Sequence, residues 1–157
     1  MTISEAKQFF QMSVDRIRRI LEKTPDDRLL WSPAPTARTP LALVAHSANS
    51  MRHIHGMLMG NRYATPTMAE ADVEFLAMEQ GLTTREDVLA LLEKNSSALL
   101  EWFDQLSEDR LGDMVPLPFG MGDAPLGFMM IMPAWHTNDH AAQLDFLQTC
   151  YGDRVWN

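Results

Sequence analysis

A single cysteine, Cys150, leaves no partner for an intramolecular disulfide, so an oxidised scaffold of the secreted kind is not expected. Long apolar runs are also missing. The most apolar stretch, 126–135, contains Gly127 and Pro133 and falls far short of the ~20 residues a bilayer span requires, so no membrane partner is expected. The opening Met1-Thr2-Ile3-Ser4-Glu5 lacks the basic and apolar segments of a signal peptide, and a cytoplasmic setting is the expectation. Positive charge is scarce: 13 basic against 21 acidic residues give a formal charge of −8, which repels phosphate backbones and speaks against nucleic acid as a partner. The one basic cluster, Arg16, Arg18 and Arg19, spreads around a helix and reads as solvated surface. Strand-type alternation, internal repeats and low-complexity tracts are absent.

What remains is a helical protein. The 157 residues suit one domain, 1–157, able to bury about two thirds of its surface without a disulfide or metal. Thr2-Ile3-Ser4-Glu5 has the form of a capping box, in which the Thr2 hydroxyl and the Glu5 carboxylate each take a backbone N–H that the first turn leaves unpaired. The apolar steps Ala6, Phe9, Phe10, Val14, Ile17, Ile20 and Leu21 carry this first helix over 2–23. Pro25, Pro33, Pro35 and Pro40 then exclude a long regular element, while Leu29, Leu30 and Trp31 are apolar enough to pack under the end of the helices. Thr39-Pro40 caps a second helix to about Gly60; Thr67 with Glu70 marks a short helix toward Gln80; Thr83 or Thr84 opens a third long helix through Leu106. Residues 107–124, with two prolines and three glycines, form a loop whose Met114, Val115, Leu117 and Phe119 suit a pocket lid or edge packing. A last helix should run from near Pro125 to about Cys150, kinked at Pro133, with Cys150 as a buried thiol. Four helical segments joined by long ordered loops imply an all-α four-helix bundle.

Two features of the helices carry chemistry. His136 and His140 are four residues apart, so both imidazoles project from one face about 5–6 Å apart, near enough to share a metal ion or to pack as a pair between helices. Gln143 lies on the same stripe. In the second helix Leu43, His46, Asn49, Ser50, His53 and Met57 follow each other at three- and four-residue steps, which puts polar groups where a core face is normally apolar. Unpaired burial of such groups costs on the order of 1–3 kcal/mol each, so this stripe should line a wet pocket, bind an ion or be hydrogen-bonded. His46 is the candidate third ligand. His53 lies about 10 Å further along the axis and His55 points to nearly the opposite side, so a pocket-rim or surface role is expected of both. At about 15 Å from His140, Cys150 is too distant to ligate the same ion.

The histidine early in helix two and the His-x-x-x-His followed by glutamine in helix four resemble the DinB-like family of four-helix-bundle metalloproteins. The resemblance extends to Leu29-Leu30-Trp31-Ser32-Pro33 and to Thr39-Pro40-Leu41-Ala42-Leu43-Val44-Ala45-His46, and so covers nearly the whole chain. It implies His46, His136 and His140 as ligands of one divalent ion; the imidazole donors suit zinc or nickel, with iron possible, and the two stripes make Asn49, Ser50, His53 and Gln143 the outer or pocket residues. Many relatives read His-x-x-x-His-Arg-Gly-Gln, whereas this chain has Ala141-Ala142 before the glutamine. Three neutral imidazoles leave a coordination position open, as at a catalytic site. The segment His-Thr-Asn-Asp-His lacks the glutamate that a zincin protease places after its first histidine.

The resemblance therefore implies a metal-dependent S-transferase or isomerase using a low-molecular-weight thiol such as bacillithiol, mycothiol or glutathione, with a small-molecule electrophile as the other partner. A metal-dependent hydrolase and a non-catalytic metal- or ligand-binding module related to stress are the alternatives. No general base or substrate-anchoring cation stands out beside the ligands. Activity is expected to fall in acid near the ordinary imidazole pKa of about 6.5. Members of the DinB-like family are often dimers, so the resemblance also makes a homodimer an expectation to test.

Overall fold

The computed structural model describes residues 1–155. Four of the helices begin behind a threonine whose hydroxyl takes a backbone N–H of the first turn. Helix α1 (Ile3–Lys23) starts with the expected capping box: Thr2 N donates to Glu5 Oε2 at 2.7 Å and Glu5 N donates to Thr2 Oγ1 at 3.1 Å. Thr39 accepts from Ala42 N ahead of α2 (Pro40–Leu58), Thr67 from Glu70 N ahead of α3 (Met68–Gln80), and Thr84 from Asp87 N ahead of α4 (Arg85–Gln105). Caps of this kind are worth about 1 kcal/mol each and fix where a helix begins.

Two expectations at the C-terminal end are corrected. A short antiparallel pair, β1 (Met114–Pro116) on β2 (Asp123–Pro125), lies where only loop was expected. Strands of three residues are too short to show the alternation by which strands are recognised. The last helix is two helices, α5 (Leu126–Met129) and α6 (Met132–Cys150), so Pro133 stands in the first turn of α6 and not within a kinked continuous helix. There its missing N–H costs nothing, and its carbonyl accepts the Thr137 hydroxyl at 2.7 Å.

Four long helices form the bundle. Helix α1 packs against α6 and α4, and α2 packs against the same two from the opposite corner, so α1 and α2 are diagonal. The centre is filled by Phe10, Ile17, Leu21, Val44, Leu92, Leu99 and Leu144, all fully buried or within a percent of it. Burying each such side chain contributes about 1.5–3 kcal/mol. Polar ties cross the packing: Asn95 Nδ2 donates to Ala48 O at 2.8 Å, and Gln148 Nε2 donates to Ile20 O at 3.2 Å. Arg16 pairs with Asp145 at 2.6 Å and Arg18 with Glu93, so two of the three arginines expected to be solvated join α1 to α6 and α4. Leu29 and Trp31 pack against the core as expected, but Leu30 is exposed, and Cys150 is an exposed free thiol in the last turn of α6. No described helix is long and apolar enough to cross a membrane.

Candidate metal centre

Helix α2 supplies His46 and α6 supplies His136 and His140, and the bundle brings the three imidazoles together. One ring nitrogen from each lies within 4.8 Å of the others, so the cluster is able to hold a metal ion. Nε2 of His136 and Nε2 of His140 are 3.3 Å apart. Two nitrogens bound tetrahedrally at ~2.0–2.1 Å would stand about 3.3–3.4 Å from each other, so this pair already has the separation of two ligands on one zinc-sized ion. The ring of His46 lies 4.8 Å from that of His140 and 5.7 Å from that of His136, centroid to centroid.

The partners of the outer nitrogens agree with this use. Nδ1 of His140 is 3.1 Å from Gln143 Oε1, and Nδ1 of His46 is 2.9 Å from Glu79 Oε1. A carbonyl or carboxylate oxygen only accepts, so each Nδ1 carries the hydrogen and each Nε2 keeps its lone pair for the cluster. Gln143, placed by sequence on the His140 stripe, is therefore in contact with that ring. Nδ1 of His136 is buried and has no partner among the described residues.

Burial, then the neighbouring His140 and His46, push the His136 pKa down to about 3. Burial and His46, reinforced by Arg38 and opposed by Gln143, push His140 down to about 4. Both rings are thus neutral well below pH 6.5, and the expectation that they protonate near the ordinary imidazole value is corrected: burial moves that event to stronger acid.

Glu79 and Arg38 were not foreseen. Glu79, at the end of α3, has a side chain only 4% exposed. Arg38 Nε donates to both its oxygens, at 3.1 and 2.9 Å, and Arg38 Nη2 donates to Asp72 at 2.9 Å. Burial alone would lower the Arg38 pKa, but the bonds to Glu79 and Asp72 outweigh it and the net shift is upward. A buried carboxylate is thereby charge-paired on one side and presented to His46 on the other, the arrangement that orients metal-binding imidazoles. Arg38 is the cation nearest this arrangement, and its guanidinium is taken up by Glu79 and Asp72. It reaches the site from the connector before α2, a region whose prolines gave no hint of it.

The remaining polar residues of α2 divide. Ser50 and His53 line a cavity of about 220 Å³ whose wall includes His136, and whose far side is formed by Phe119 of the 107–124 loop. Asn49 is buried, and its Nδ2 has no partner among the described residues. His55 packs edge-on against Trp102 at 5.8 Å, away from the cluster as its position on the helix required.

Solved structures share this fold. YfiT from Bacillus subtilis, described as a probable metal-dependent hydrolase with an unusual four-helix-bundle topology, superposes with a TM-score of 0.75 at 17% identity, covering 96% of this chain and 87% of that one. A mutant of the mycothiol-dependent maleylpyruvate isomerase gives a TM-score of 0.75 at 15% identity over 92% of this chain; the chain spans 61% of that longer protein. The colibactin self-resistance protein ClbS, solved in complex with double-stranded DNA, gives 0.68 at 19% identity over 94% and 96% of the two chains. That complex corrects the expectation that excluded nucleic acid. ClbS has this fold and meets a duplex, and net charge is a sum over the whole surface whereas a contact is made by a few side chains. No curated protein matches the sequence. The pattern of the DinB superfamily matches residues 10–144, and with most of its length so matched the chain belongs to that superfamily.

Proposed function

We propose that this protein is a metal-dependent enzyme in which His46, His136 and His140 hold one divalent ion, zinc or nickel, and that it transfers a low-molecular-weight thiol to an electrophile. The observation that carries the reading is the sharing of His136 between the histidine cluster and the cavity bounded by Ser50, His53 and Phe119. Held by His46, His136 and His140, a divalent ion would supply the positive charge that favours a thiolate at neutral pH, where a free thiol of pKa about 8.5 is mostly protonated. The chain's own residues do the rest. Glu79 and Gln143 hold the rings of His46 and His140 with their Nε2 atoms inward, and the cavity takes the electrophile beside His136. In the reaction the thiol proton passes to solvent, a carbon–sulfur bond forms, and the leaving group departs with the electron pair of the bond it breaks. No oxidant or reductant is consumed.

The isomerase among the structural relatives uses mycothiol, which favours a thiol here; YfiT, called a probable metal-dependent hydrolase, favours the second reading, hydrolysis at the same ion. The deciding experiment incubates metal-loaded protein with bacillithiol, mycothiol or glutathione and monochlorobimane, beside His46→Ala. Metal-dependent conjugation with at least one thiol, absent from the variant, is the expected result. Conversion no better than the variant's, together with metal-dependent ester or amide hydrolysis, replaces the transferase with the hydrolase.

A further inference from the structure

The cavity beside His136 has a lining of unusual uniformity. No Asp, Glu, Lys or Arg side chain contributes to it, whereas the groove along Gln143 and Phe146 contains Arg38, and the hollow behind Phe119 contains Arg62 and Asp123. A row of aromatic rings runs along its wall toward the histidine cluster. Phe119 meets Tyr63 edge-on at 5.5 Å, Tyr63 meets His53 at 5.1 Å, His53 meets Phe75 at 5.2 Å, and Phe75 meets His46 at 4.6 Å. Burial lowers the His53 pKa, which favours the neutral ring.

A charged group enters such a site at a cost, because it leaves water and the lining holds no Asp, Glu, Lys or Arg to pair with it; the polar atoms that Ser50, His53, Tyr63 and His136 contribute offer hydrogen bonds alone. Flat π-systems suit it. Edge-to-face contacts with several rings add to the burial of apolar surface, and the four rings present both edges and faces. Size narrows the choice further: a cavity of ~150 Å³ lined by apolar side chains takes up benzene, and this one measures about 220 Å³. One aromatic ring with a small reactive arm fills it.

Resting on the transferase reading for its site but not for its test, we infer that the cavity between α2, α3 and the 107–124 loop is the binding pocket for an uncharged, single-ring aromatic substrate, selected by the ring row from Phe119 to Phe75. The row ends on His46, so the bound ring lies against the wall that leads to the ligand cluster.

The test is equilibrium binding to the metal-free protein without thiol, which separates it from any question of turnover. Ligand-observed NMR compares three probes of similar shape: 4-nitrobenzyl alcohol, 4-nitrobenzoate and 4-nitrobenzylammonium. The neutral alcohol should bind at least about tenfold more tightly than either ion. Phe119→Ala and Phe75→Ala should each weaken it severalfold, while Phe146→Ala, in the groove beside Arg38, should leave it unchanged. Circular dichroism checks that each variant is folded, and Ser50→Leu, which fills the cavity from the α2 side, gives a second route to the same loss. Equal affinity for the three probes, preference for an ion, absence of binding at millimolar concentration, or loss on Phe146→Ala instead of Phe119→Ala overturns the inference. Binding as expected without any thiol transfer leaves the pocket standing and removes the transferase; transfer to charged substrates with no neutral preference does the reverse.

Discussion

The Oε1 atom of Glu79 lies 2.9 Å from Nδ1 of His46, although the two residues come from different helices and Glu79 is held from its other side by Arg38. Such a contact fixes which imidazole nitrogen faces the cluster. Glu79→Gln keeps the shape and a possible acceptor but loses the negative charge, and should lower metal affinity by about 10–100-fold. Competition with a chelator of known affinity measures this. Unchanged affinity in a folded Glu79→Gln protein would remove Glu79 from any role at the ion.

Loss of a ligand should cost more than loss of its outer partner. His46→Ala, His136→Ala and His140→Ala each leave two donors, so metal content after loading and gel filtration should fall in all three, by more than the ~10–100-fold affinity cost of a lost outer contact. His55→Ala, whose ring packs on Trp102, is the control and should load normally. Equal metal content in the four proteins would sink the ligand assignment.

Acid should weaken the metal-free fold through His136 and His140. Their folded pKa values, about 3 and about 4, lie below the unfolded value near 6.5. Between these limits the unfolded chain binds more protons than the folded one, so stability rises with pH there. The contribution is fully present above pH 6.5 and is lost as pH falls toward 3. The urea midpoint of the metal-free protein should therefore drop between pH 7 and pH 4, and drop less in His136→Gln. Parallel profiles for the two proteins would contradict the burial of the His136 ring.

Gly127 tests the join between β2 and α5. A Cβ there would stand 3.2 Å from both the Cβ and the carbonyl oxygen of Leu111, closer than ordinary packing. Overpacking of this kind costs about 1–3 kcal/mol. Gly127→Ala should lower the thermal midpoint by several degrees, and an unchanged midpoint would mean that the Leu111 turn yields freely.

Much of this architecture was legible because its signals are local. Thr2, Thr39, Thr67 and Thr84 each announce a helix by hydrogen-bonding a residue three positions ahead, and the pair His136 and His140 lies within one turn. Pro133 was misplaced because a proline inside an apolar-periodic run looks the same whether it interrupts one helix or starts the next. Cys150 was misjudged for a related reason: in a last turn the periodicity no longer says which side is covered. Arg38 and Glu79 are a different case, for they are 41 residues apart, and Glu79 is 33 from His46. Only Ala71 and Glu79 of α3 are buried, so the helix has no apolar stripe from which an inward face could have been read. Charge misled for want of position: the ClbS complex shows that a bundle of this fold can meet DNA, which a whole-chain sum does not address.

The sparse burial of α3 makes it a reporter. With so little apolar surface to hold it, this helix leans on the contacts of Glu79 with Arg38 and His46, of Asp72 with Arg38, and of Phe75 with the His46 and His53 rings. Whatever steadies His46 must then slow the opening of α3, by the same free energy with which a docked α3 favours what steadies His46. Backbone amide exchange along 68–80 should slow when metal is added, more than exchange in α1, which gives no residue to the histidine cluster. A site set between helices would so be readable from the outside, by watching a helix that buries only two of its own residues.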